Sequence, residues 1–151
     1  MEKNKDTRVI EKSEEVEKKE EVEKSEEVED IDDSGHLLET KKDILIKSAK
    51  EYYYSGNDEL DKERFNSAVV LFFKSLVALV DLYIFQQTGE TPSSHISRFR
   101  ISKEKFSNIY DLLDKDFPFY QDSYVQIMTR ELAEVIKNDT KIMAEKTKIS
   151  L

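Results

Sequence analysis

The stretch FNSAVVLFFKSLVALVDLYIFQQT, residues 65–88, decides the fold. From Ala68 to Phe85 only Lys74, Ser75 and Asp81 interrupt an apolar run of 18 residues. That is too long for an ordinary strand and contains neither Pro nor Gly, so it reads as a helix despite its Val and Phe content. Ser67, Lys74, Asp81 and Thr88 recur every seven positions, which places them on one narrow strip with Val, Leu, Phe and Ile around the rest. Such a helix either crosses a membrane or runs through the middle of a bundle. Lys74 and Asp81 argue against the membrane, because each costs about 2.5–3.5 kcal/mol at mid-span. The expectation is the buried central helix of a soluble bundle. Lys74 and Asp81 then need partners from another helix or a second protomer, or they form a solvated strip or a polar groove for a nucleotide.

Outward from this segment, Leu38, Leu45 and Tyr52 repeat at seven, with Leu37, Ile44, Ala49 and Tyr53 on the same face. They predict a first amphipathic helix over Leu37 to Tyr54, capped by Ser34 and stopped at Gly56. Of the consecutive Tyr52, Tyr53 and Tyr54, two pack and Tyr54 sits near the surface, where a phenol can stack on a base. Asn57 or Asp58 then caps the central helix, which runs from Glu59 to Gln87 until Gly89 and Pro92 end it. Ser93 to Ile101 reads as a short helical turn, and Lys103 to Lys115 as a third helix with Phe106, Ile109, Tyr110 and Leu113 inward. Pro118 breaks the chain. The last helix starts near Tyr120 and reaches about Lys146, with Tyr124, Ile127, Met128, Leu132, Val135, Ile136 and Ile142 as its inward stripe. The fold class is all-α, an up-and-down bundle of four main helices and one short one. A central helix of about 44 Å needs more cover than three shorter helices give. This predicts a homodimer, with Val69, Phe72, Phe73, Leu76, Val80 and Tyr83 as candidate interface residues.

Charge divides the chain in two. Residues 1–33 hold 15 of the 33 acidic and 7 of the 24 basic residues, so the net charge of −9 belongs almost wholly to this segment. It repeats EKSEEV, EKKEEV, EKSEEV at a period of six, which scatters Val16, Val22 and Val28 around a helix and builds no coiled-coil seam. It reads as an acidic low-complexity tail, partly helical through i, i+4 Glu–Lys pairs, that solubilises the chain or docks on a basic partner. Residues 34–151 form the domain. Being nearly neutral, this domain has no global attraction for phosphate backbones. The chain has no cysteine, which removes disulfides, thiolate zinc sites and thiol nucleophiles. The N-terminus has no apolar signal core, so a cytoplasmic protein is expected.

His95, Arg98 and Arg100 form the best chemical constellation, on the Ser-rich turn after the central helix. His95 and Arg98, three apart, share a face on a helix and suit an anion or phosphate, or else they cap and pack the loop. Lys74 and Asp81 complete the candidate ligand-binding set. Asp111, Asp114 and Asp116 read as loop-flanking acids without His companions, so neither a metal nor a cofactor is expected.

The order of EYYYSGN, the long FNSAVVLFFKSLVALVDLYI helix, GETPSSHISRF with Gly89, Pro92 and His95, and a broken entry into a last long helix resembles the HEPN superfamily of small helical bundles. The resemblance covers about residues 37–145. It implies a homodimer, often partnered by a minimal nucleotidyltransferase in a toxin–antitoxin setting. In active members an Arg, four to six intervening residues and then a His, at the start of the last helix, form a metal-independent ribonuclease site. Here that region reads LLDKDFPFYQDSYVQ, with no Arg and no His from Asn108 to Thr129. Only Asp122 and Tyr124 match the end of the motif. The resemblance therefore implies a degenerate member without catalytic residues that binds a nucleotide, RNA or a partner nucleotidyltransferase. The alternatives are a ribonuclease toxin using His95 with Arg98 or Arg100, and a structural adaptor acting through its acidic tail.

Overall fold

The computed structural model describes residues 40–151, and the tail, Ser34 and the Leu37–Leu38 start of the expected first helix lie outside the described residues. Those described form five helices and no strand: α1 (Lys41–Asp61), α2 (Phe65–Thr88), α3 (His95–Lys105), α4 (Ser107–Asp122) and α5 (Arg130–Thr147).

Helix α2 is the central rod. Ala68, Val69, Phe72, Phe73, Leu76, Leu79, Val80, Leu82 and Ile84 are all buried within one chain. Its mean hydropathy of 2.2 would suit a membrane span, but 67% of that window is covered by the protein's own helices. Helix α1 runs antiparallel to it, with Tyr53 against Phe72 and Ser75 donating a buried 2.6 Å hydrogen bond to the Ala49 carbonyl. Helix α4 is also antiparallel, setting Phe106 against Tyr83 at one end and Tyr120 against Phe73 at the other. Helix α5 returns parallel to α2, fastened where Thr140 donates to the Phe72 carbonyl and Gln86 to that of Thr147. The four long helices alternate in direction, and α3 is the short fifth.

Several boundaries differ from the sequence expectation. Helix α1 does not stop at Gly56 but continues to Asp61, because Gly56 is where Phe72 needs room. A Cβ there would lie 2.8 Å from the Phe72 ring. Its N-cap is Thr40, in a reciprocal capping box with Asp43. Neither Asn57 nor Asp58 caps α2, which starts at Phe65 after a tight turn through left-handed Glu63, φ 58°. Gly89 does end α2, at φ 75°. Helix α3 is longer than a turn, with Ser94 as its N-cap. Pro118 does not break the chain: it lies inside α4, where Asp114, whose carbonyl loses its donor, is exposed and can be satisfied by water. The last helix therefore begins ten residues later than expected, at Arg130, with Thr129 accepting from the Leu132 amide.

That late start changes which side chains face inward. Met128 and Ile136 are buried, but Tyr124, Ile127, Val135 and Ile142 are 71%, 89%, 37% and 43% exposed. Tyr124 and Ile127 sit on a loop held by Asn66, whose amide donates to the Ser123 and Gln126 carbonyls and accepts from the Met128 amide.

Candidate functional site

The strip of polar residues on α2 meets two different fates. Lys74 is exposed rather than buried, with its ammonium 5.7 Å above the Tyr52 ring. Asp81, two turns on, is buried and finds its partner on α3. The turn that Gly89 opens sends the chain back so that the first turns of α3 lie against α2. Arg98 there closes on Asp81 with both faces of its fork, Nε donating to Oδ1 at 2.6 Å and Nη2 to Oδ2 at 2.8 Å. This is the bidentate geometry in which guanidinium and carboxylate satisfy each other when removed from water.

The remaining edge of Arg98 holds His95. Nη1 donates to His95 Nδ1 at 3.0 Å, and since an arginine can only donate, Nδ1 must carry the lone pair. The ring proton is then on Nε2, the nitrogen left for a ligand. Burial lowers the His95 pKa and the adjacent Arg98 charge lowers it further, against a smaller opposite pull from Asp81. A neutral imidazole is the result.

An aromatic wall stands beside it. The His95 ring is 5.5 Å from Phe117 and 6.4 Å from Tyr120, both on α4. Phe99 meets Phe117 edge-on, and Tyr120 stacks on Phe73 at 4.6 Å. The Tyr120 and Tyr124 hydroxyls are 3.0 Å apart, and this bond, followed by burial, raises the Tyr120 pKa. Tyr124 also lines an open groove of about 560 Å³, floored by Val70 and Leu71 of α2 and walled by Ser55, Asp58, Glu59 and Lys62. Wall and groove thus share one residue.

Of the five candidate ligand residues, the structure joins Asp81, Arg98 and His95. Arg100 is exposed two positions beyond Arg98, so it leaves on the far side of α3. Lys74 belongs to the Tyr52 contact. Five of the six candidate interface residues, Val69, Phe72, Phe73, Leu76 and Val80, are at most 1% exposed and pack inside their own chain. Tyr83 is half-buried against Phe106. Three shorter helices and α3 cover α2, so these residues are core and not free for a second copy. The sequence reading does not join Phe117 and Tyr120 to His95, because it ends the third helix at Lys115 and both lie beyond that point, on α4. No group of metal-ligating side chains occurs among the described residues. No family model, curated protein or solved structure matches the chain.

Proposed function

We propose that the protein is a non-catalytic, HEPN-like helical-bundle module of the cytoplasm that works as a homodimer and binds a nucleotide or RNA, or a partner nucleotidyltransferase, through the His95 face. The observation that carries this reading is the commitment of Arg98. Metal-independent cleavage of RNA needs a histidine to move the 2′-hydroxyl or leaving-group proton and a cation to steady the phosphate. Beside His95 the cation is already neutralised by Asp81. What His95 retains is an Nε2–H donor next to Phe117 and Tyr120, which suits a flat, hydrogen-bonding ring such as a nucleobase more than a phosphate. The second copy and the nucleotidyltransferase partner rest on the resemblance in helix order and motifs.

Incubating the protein with RNA in the absence of metal should leave the RNA intact, and cleavage that disappears in His95→Ala would overturn this reading. Nucleoside monophosphates titrated in an NMR experiment should move the His95 and Tyr120 ring signals. Tyr120→Ala should weaken that binding on the order of tenfold, the loss of one base–aromatic stack.

A further inference from the structure

Asp116 continues the inward face that Ile109 and Leu113 mark on α4, and its side chain is fully buried. Neither of its carboxyl oxygens has a hydrogen-bond donor. Asp139 stands against it from α5, itself only 7% exposed. Lys115, half open to solvent, reaches Asp139 Oδ2 at 2.5 Å and stays 3.8 Å from Asp116 Oδ1. Two buried carboxyls therefore share one ammonium. Two carboxylates cannot hydrogen-bond to each other, whereas one proton placed between them supplies the missing donor and removes the surplus charge.

We propose that Asp116 and Asp139 form a proton-operated latch between α4 and α5 that sets the position of the aromatic wall beside His95. Asp116 is the carboxyl that holds the proton. The next residue on α4 is Phe117, and one turn further is Tyr120, so any displacement of α4 from α5 at Asp116 moves the two rings that face His95. Among the described residues, the charges on the neighbouring α2 are engaged elsewhere. On α2, Asp81 is closed on Arg98 of α3, and Lys74 lies over Tyr52. The groups that act on Asp116 are Asp139 and Lys115.

Burial foremost, then Asp139, pushes the Asp116 carboxyl up to about 8, with Lys115 opposing. The closed seam binds a proton that an opened, hydrated Asp116 releases. Closure is therefore fully favoured below the ordinary aspartate range near 3.8 and is lost as pH rises through about 8. In between, the tendency to open grows up to about tenfold per pH unit. The latch concerns the protein alone. Only its consequence for a ligand rests on the function proposed above.

The test is a pH titration from 6.5 to 9.5 followed by carbon-detected NMR of the Asp116 carboxyl and by the ring signals of Phe117 and Tyr120, on the full chain without ligand. The rings should move with the same midpoint as the carboxyl. Asp116→Asn should abolish their movement, and Lys115→Met, at a half-exposed position, should raise the midpoint by removing the opposing charge. Rings that stay still while Asp116 titrates would overturn the latch. So would an Asp116 already ionised at pH 6.5, or a midpoint indifferent to Lys115→Met. Because no nucleotide is present, a silent titration refutes the latch and leaves ligand binding at His95 to its own experiment.

Discussion

Gly56 shows how one residue can carry two opposite preferences. Alanine is favoured over glycine inside a helix by about 1 kcal/mol, yet a methyl at Gly56 would stand 2.8 Å from the Phe72 ring. Phe72 is 0% exposed and has no room to swing. Overpacking therefore outweighs propensity, and Gly56→Ala should lower stability by about 1–3 kcal/mol, read as an earlier urea midpoint with unchanged slope. This explains why the glycine could not be interpreted from the sequence alone. A Gly directly before Asn-Asp is a helix stop in most contexts, and the Phe that occupies the space is sixteen positions away. Lys74 and Asp81 were equally ambiguous: their period of seven placed them on one strip, but which end of that strip is covered depends on where α3 lies. For Asp116 the signal was present, since a spacing of 109, 113, 116 is an inner helical face. The expected end of the helix at Lys115 left it a loop-flanking acid.

Among the elements, α2 was legible because an 18-residue run broken only by Lys74, Ser75 and Asp81 is too long for a strand and too charged for a membrane span, and Gly89 marked its end correctly. The region from Tyr120 to Thr129 was not. Pro118 suggested a break where the chain in fact continues: α4 carries the proline in its interior, with the stranded Asp114 carbonyl on the exposed side. The real interruption comes later, and it is organised by Asn66, in the first turn of α2 and remote from the loop in sequence. One amide there makes three hydrogen bonds to the loop backbone. Asn66→Ala should destabilise the protein by about 1–3 kcal/mol, and amide exchange should quicken first at residues 123–128. Asn66→Asp, which keeps the acceptor and loses both donors, should behave nearly as badly. If the loop stayed as protected as before in both variants, its shape would have to come from elsewhere.

For the molecule as a whole, α2 does not require a second copy to cover it. One chain buries it. A homodimer would have to use other surface, and the loop leaves apolar side chains for one: Val125 and Ile127 are 81% and 89% exposed, and Ile96 at the start of α3 is 82% exposed. Light scattering at micromolar concentration should return twice the chain mass of 17.7 kDa; a value equal to a single chain would remove the homodimer from the proposed function while leaving the His95 face intact.

The contact between Asp81 and Arg98 also governs how the bundle finds its arrangement. Along α2 nearly every position is greasy enough to welcome a passing short helix, so many wrong seats for α3 are roughly equivalent in apolar area. Only one of them also answers the lone carboxylate. Any other seat presses the Arg98 guanidinium against hydrocarbon with no carboxylate to meet it, at a penalty of several kcal/mol, so the ion pair works as an address that tells α3 where on the rod to stop.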